Sequence, residues 1–304
     1  MRAITIYDYT AGMKLSGKRV IALGFFDGVH LGHREILCRA VSEAKRLSLP
    51  CAVFTFISET DGFKGEKRIY STKEKISLIT ECGVEEIIIA DFSKVRSVSA
   101  EDFINDILID SLGCALALSG RDFRFGKGAL GDTELLEKSL KARGANLICP
   151  EEVRADGEKI SSSKIKKLLE EGKVKKAAEL LGMPYFIKSK VQRGLGLGKT
   201  FGFPTVNTEI SEGMPSLLSG VYVCEVKIKD TRYPALANVG TCPTVSSREK
   251  HIETYIINYD GDLYGEEITI CFLDFLRAEK KFETIEQLKM QINIDINTAF
   301  GNKE

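Results

Sequence analysis

The chain has 304 residues, of which 43% are hydrophobic, with 43 basic side chains balanced by 43 acidic ones. That length suits two domains, the apolar content excludes a disordered chain, and zero net charge argues against a general nucleic-acid or membrane-surface binder. No apolar run is long enough to span a bilayer, and the eight scattered cysteines lack any Cys-x-x-Cys spacing, so reduced thiols in a cytoplasm are expected rather than a zinc site or a disulfide framework.

The first residues, 1–6, read as a strand rather than a signal peptide. Up to about residue 150, short β-rich runs at 20–23, 52–56, 86–90, 115–118 and 146–148 alternate with helical stretches. In the first of these helices Ile36, Leu37, Ala40, Val41, Ala44 and Leu47 share one face at helical spacing. Such alternation predicts an α/β domain, a parallel sheet covered by helices. A charged helix is expected over 163–181, ending before Gly182-Met183-Pro184. Beyond it, β-rich runs at 185–191, 220–228, 233–239, 253–259 and 266–272, with turn residues such as Asp260-Gly261-Asp262, predict a small antiparallel β-barrel. A C-terminal helix closes the chain, with Thr284 and Gln287 as its capping box and Ile285, Leu288, Ile292 and Ile296 as its stripe. The domains are therefore expected at 1–182 and 183–304.

The clearest nucleotide site is the segment Gly24-Phe25-Phe26-Asp27-Gly28-Val29-His30-Leu31-Gly32-His33, between a strand and a helix. A helix N-terminus offers free N–H groups and partial positive charge, which suits phosphate. Gly32 leaves no side chain between the two imidazoles, and His30 and His33 can donate hydrogen bonds to phosphate oxygens. Two capping histidines, or half a metal site, would be the plainer use of the pair. Two further segments offer similar chemistry. Asp122, Arg124 and Lys127 lie on a glycine-bounded loop after a strand, and Ser161, Ser162 and Ser163 open a helix. The plainer readings are a solvated charged turn and ordinary N-capping.

In the second half, 194–207 is the richest stretch. Gly198-Lys199-Thr200 suggests a P-loop, but the first glycine of that motif would be residue 193, which is Arg193. Strand-like sequence and Pro204 follow instead of a helix, which also rules out a dinucleotide fingerprint.

Taken together these segments resemble the bacterial bifunctional riboflavin kinase/FMN adenylyltransferases, also called FAD synthetases. The resemblance rests on 24–33, on Gly120-Arg121-Asp122-Phe123-Arg124-Phe125-Gly126 and on Ile160-Ser161-Ser162-Ser163-Lys164-Ile165-Lys166. In the second half it rests on the glycine-rich flap with Pro204-Thr205-Val206-Asn207, and on Glu253-Thr254-Tyr255-Ile256. It implies a Rossmann-like nucleotidylyltransferase domain followed by a riboflavin kinase barrel. It also implies ATP binding in the first domain by Gly24, Phe25, Asp27, Gly28, Gly32, Asp122, Arg124, Ser161, Ser162, Ser163 and Lys166, with His30 and His33 catalytic. In the kinase, ATP would be held by Gly194, Gly196, Gly198, Lys199, Gly202, Pro204, Thr205 and Asn207. Thr205 and Asn207 supply hard oxygen ligands suited to Mg²⁺, Glu253 is the implied general base, and Arg277 stands near the flavin. Tyr255, in place of a family histidine, is placed on the face opposite Glu253.

The implied substrates are riboflavin, FMN and ATP, with neither nucleic acid nor membrane as partner, in a monomer or weak homo-oligomer. The sequence departs from the family at Ile57-Ser58-Glu59-Thr60, where Pro-His-Pro is usual, and at Lys166 and Ala129, where arginines are usual. Those departures motivate an alternative, a riboflavin kinase with a degenerate first domain. A non-catalytic flavin or nucleotide sensor is the rival of another class.

Overall fold

The computed structural model describes residues 4–57, 67–193, 202–210, 213–241 and 250–301. Gly194, Gly196, Gly198 and Lys199 lie outside the described residues, as do Ser58, Glu59 and Thr60. The chain forms two compact units, Met1–Ser162 and Ser163–Glu304.

In the first unit β1 (Thr5–Asp8), β2 (Arg19–Leu23), β3 (Cys51–Ile57), β4 (Glu86–Asp91), β5 (Cys114–Leu118) and β6 (Asn146–Ile148) form one sheet in the order β1-β4-β3-β2-β5-β6. Every pairing in it is parallel. Parallel strands need crossovers, supplied here by α1 (Leu31–Leu47), α2 (Thr72–Glu81), the short α3 (Phe92–Val95), α4 (Ala100–Asp102), whose chain continues as π-helical turns over Phe103–Ser111, and α5 (Thr133–Ala142). Helical cover on both faces explains why Val20 to Leu23 and Cys51 to Phe56 are buried without alternation. A small hairpin, β7 (Arg154–Ala155) with β8 (Glu158–Lys159), ends the unit.

The sheet order has a functional meaning. After β2 the chain adds β3 and then β4 on one side, and later places β5 on the other side of β2. The crevice beyond the carboxyl ends of β2 and β5 is thus the topological switch point, the usual ligand position in such sheets.

In the second unit the helix expected over 163–181 is two helices, α6 (Ser162–Glu170) and α7 (Val174–Leu181). The break comes at Gly172, whose φ of +72° is left-handed. α7 packs on β9 (Tyr185–Lys190) and β14 (Glu267–Arg277), and this helix pair groups with the barrel in the second compact unit.

The remaining strands are β10 (Thr205–Glu209), β11 (Gly220–Ile228), β12 (Thr231–Thr241) and β13 (Lys250–Ile256). The order β10-β13-β12-β11-β14-β9 is antiparallel throughout. The sheet curls until its two edges meet in a bridge, where the Gln192 N–H donates to the Asn207 carbonyl at 2.8 Å. β13 runs earlier than the 253–259 expected from sequence. The strand ends at Ile256, and Asn258 takes a left-handed φ of 57° in the turn that follows.

The last helix, α8 (Ile285–Phe300), begins as expected, with the Thr284 hydroxyl accepting the Gln287 N–H at 3.2 Å. Its stripe is only partly covered. Leu288, Ile292 and Ile296 are half-buried and Ile285 is exposed, whereas the one buried residue of this helix is Asp295.

Candidate functional sites

The first site is built at the carboxyl end of β2. The chain leaves Leu23, turns through Phe26 and Val29, both at positive φ (52° and 41°), and enters α1 at Leu31. Gly28 sits at φ +82°, and a side chain there would strike Ile69. Asp27 holds the turn from two directions. Its carboxylate accepts the Ile69 N–H at 2.9 Å, and its carbonyl accepts the Ser162 hydroxyl at 2.8 Å. Ser162, 135 residues away in sequence, is thereby brought to the loop.

His30 is the N-cap of α1, with its Nδ1 accepting the backbone N–H of His33 at 3.3 Å. A nitrogen that accepts carries no proton in the neutral ring, so His30 presents Nε2–H as its donor. The two imidazoles stack, centroids 3.6 Å apart and planes 15° from parallel. A Cβ at residue 32 would lie 3.3 Å from the His30 ring, so glycine leaves this approach clear. Both rings are kept neutral. Burial pushes His30 down to about 4 against the pull of Asp27, and burial followed by the neighbouring His30 holds His33 well below the usual histidine range. Nδ1 of His33 is buried with no hydrogen-bond partner, an atom left for a ligand to satisfy.

Neutral burial has a stability signature. The unfolded chain takes up a proton on His30 near pH 6.5, and the folded chain only near pH 4, so stability falls as pH drops through that window. From pH 7 to pH 5 the expected loss from His30 is about 2 kcal/mol. Urea unfolding of the wild type and of His30→Asn, whose asparagine keeps an N-cap, checks this: the acid-side loss should shrink by that amount in the variant.

The charged loop follows a strand, β5, which pairs with β2 in the sheet. Asp122 pairs with Lys159 at 2.6 Å, and Lys159 also reaches Glu152 at 3.3 Å. Asp122 and Lys159 both act on the charge of His30. Arg124 turns instead to Asp132, at 3.3 Å, on the exposed surface. Ser161 and Ser162 stand at the end of the first unit, and Ser163 and Lys166 follow on α6 in the second.

Thr55, Lys75 and Lys159 went unrecognised in the sequence. The Thr55 hydroxyl donates to the Phe25 carbonyl at 3.1 Å, and Lys75 donates to that same carbonyl at 3.2 Å. Nothing in the sequence Thr72-Lys73-Glu74-Lys75 distinguishes the buried lysine, Lys75, from the exposed one, Lys73.

The second site is a row of side chains across three strands. Asn207 of β10 faces Glu253 of β13, and Glu253 faces Asn238 of β12. Two residues along, Thr205 faces Tyr255. Residues i and i+2 of a strand share a face, so Thr205, Asn207, Glu253 and Tyr255 all stand on the outer face of the curled sheet. This corrects the expectation that Tyr255 points away from Glu253; the residue on the opposite face is Thr254, which is fully buried with Ile252 and Ile256. Tyr255 packs edge-on against Phe203 at 5.3 Å. Gly202 is exposed at φ +85°, and Pro204 leads directly into β10.

Arg277, at the end of β14, is held by α8. Its Nε lies 3.0 Å from both Asp295 oxygens and its Nη2 2.7 Å from one, while Nη1 donates to the Ala278 carbonyl. Gln291 donates to the same carboxylate at 2.9 Å. The pair is buried at one end, with Asp295 4% exposed, and fastens barrel to helix.

Comparison with known proteins covers both halves of the chain. The family described as FAD synthetase matches residues 13–164, and the riboflavin kinase (flavokinase) family matches residues 181–301. The bifunctional riboflavin kinase/FMN adenylyltransferase of Escherichia coli (strain K12) is 34% identical over 288 residues, covering 92% of this chain and 91% of that protein. The chain belongs to the bifunctional riboflavin kinase/FMN adenylyltransferase family. Its relative from Bacillus subtilis (strain 168) is 33% identical, covering 93% of this chain and 92% of the relative. A crystal structure described as a macrolide-efflux protein from Streptococcus pneumoniae aligns with a TM-score of 0.88 at 29% identity, over 97% of this chain and 99% of that one. The efflux description belongs to that protein; among the described residues here no helix is long and apolar enough to cross a membrane.

Proposed function

We propose that the chain carries out two consecutive ATP-dependent reactions on flavin in the cytoplasm, each at one of the two sites, as a monomer or weak homo-oligomer. The outer row of the barrel phosphorylates riboflavin to FMN. The histidine loop of the first unit adenylylates FMN to FAD, releasing pyrophosphate. The observation that carries this reading is the presence of both sites in one chain: stacked neutral histidines at a helix N-terminus, and a carboxylate aligned with a Thr/Asn pair.

In the kinase, Glu253 accepts the proton of the ribityl 5′-hydroxyl as that oxygen attacks the γ-phosphorus of ATP. Thr205 and Asn207 offer two hard oxygens on the same face as the base, a sparse donor set that fits Mg²⁺, which takes few protein ligands and completes its shell with water and phosphate. When bound there, Mg²⁺ neutralises charge on the ATP phosphates. Gly194, Gly196, Gly198, Lys199, Gly202 and Pro204 are assigned to ATP as the flap. Arg277 serves the flavin end through its hold on α8.

In the adenylyltransferase, the FMN phosphate oxygen attacks the α-phosphorus of ATP and the bond to pyrophosphate breaks, with no covalent enzyme intermediate. His30 and His33, as neutral donors, hold phosphate oxygens as charge develops. Gly24, Phe25, Gly28 and Gly32 line the approach, and Ser161 and Ser162 close it. Asp122, Arg124, Ser163 and Lys166 are assigned to ATP with them.

The test is incubation with riboflavin, ATP and Mg²⁺ with separation of products. FMN followed by FAD is expected; FMN alone would establish the degenerate-domain alternative, and flavin binding without turnover the sensor.

A further inference from the structure

Lys75 is a buried amine, 8% exposed, on the first turn of α2. Its Nζ donates to three oxygens: the carbonyl of Phe56 at 2.8 Å, the carbonyl of Phe25 at 3.2 Å and the hydroxyl of Thr55 at 3.2 Å. Two of these are at the carboxyl end of β3, and the third is in the turn that carries His30 and His33. An ammonium has three donors, so the set is saturated.

The fold gains little from this arrangement. The Phe25 carbonyl already accepts the Thr55 hydroxyl, so only Phe56 depends on the amine alone. Burying a charge to satisfy one carbonyl is a poor exchange, and a methionine of similar volume would fill the space. What the amine adds is a second tie of the histidine turn to β3, beside the Thr55 hydroxyl, and a link from both to the start of α2. It also sets a positive charge beside His33, helping to keep that ring neutral.

We propose that Lys75 is a positioning residue for FMN adenylylation: its ammonium fixes the Phe25 carbonyl against the end of β3 and so holds the turn that presents His30 and His33 to phosphate. This rests on the assignment of the histidine loop as the adenylyl-transfer site. Burial pushes the amine down to about 8, against the pull of Asp27 in the turn and with the push of Arg68 just before α2. His33 on α1 also faces it and is neutral. Above that pH the neutral amine has two donors for three acceptors, and the tie loosens.

Three measurements on the full chain decide the matter. In Lys75→Met, kcat for FAD formation should fall about 50-fold while KM for ATP and FMN stays within threefold and FMN formation is unchanged, because a loosened turn misplaces the donors without removing a substrate contact. Wild-type FAD formation should lose activity with a midpoint near pH 8, a limb absent from FMN formation and from the variant. His33→Ala serves as the control on the site itself. If His33→Ala abolishes FAD formation and Lys75→Met does not lower its kcat, the role of Lys75 is overturned; if His33→Ala is silent, the site assignment fails instead. Should Lys75→Met not fold, the wild-type alkaline limb decides, and its absence overturns the proposal.

Discussion

His33→Ala should reduce FAD formation by two to three orders of magnitude and leave FMN formation intact. Loss of one preorganised donor to developing phosphate charge has effects of that size. His33 is suited to the part. Its ring stacks on His30 at 3.6 Å, its Nδ1 is buried without a partner, and it is neutral at physiological pH. The substitution is expected to spare the kinase because Glu253 and Asn207 belong to the other compact unit. The measurement is product separation with riboflavin or FMN as the starting flavin. FAD synthesis within tenfold of wild type would remove His33 from the catalytic set.

The second large effect is expected at Glu253. Glu253→Gln keeps the shape and a hydrogen-bonding group but removes the proton acceptor, so FMN formation should fall about 100- to 10,000-fold. FAD formation from supplied FMN should stay within twofold. Glu253 is exposed on the outer face while its neighbours Ile252 and Thr254 fill the interior, so unfolding free energy should move by no more than about 0.5 kcal/mol. Activity lost at unchanged stability points to chemistry. A variant that still phosphorylates riboflavin at a tenth of the wild-type rate would mean that another group takes the proton.

Legibility in the sequence followed the range of the interaction. The histidine turn was readable because its glycines, histidines and helix start are consecutive, and the parallel sheet because its strands are continuous apolar runs. Arg277 was readable only as a charge near the site. Its partner Asp295 is 18 residues on, in a helix whose apolar pattern carries no sign that an aspartate is its buried residue. Lys75 was invisible for a similar reason, since burial of an amine depends on where β3 ends rather than on its own neighbours. The facing of Tyr255 was misjudged although strand period alone determines it. The helix break at Gly172 and the early end of β13 depend on single left-handed residues, which a periodic pattern passes over.

The polar row of the barrel has a consequence for how this enzyme can change. Asn207, Glu253 and Asn238 come from three strands and meet only because the ladders are in frame. A slip of β13 by one residue would send Glu253 inward and bring Thr254 out, burying a carboxylate among Ile252, Ile256 and their neighbours. Catalytic misalignment and core disruption would therefore arrive together. Length variation should be admissible in the connections between strands but excluded within them, so folding itself proofreads the placement of the base.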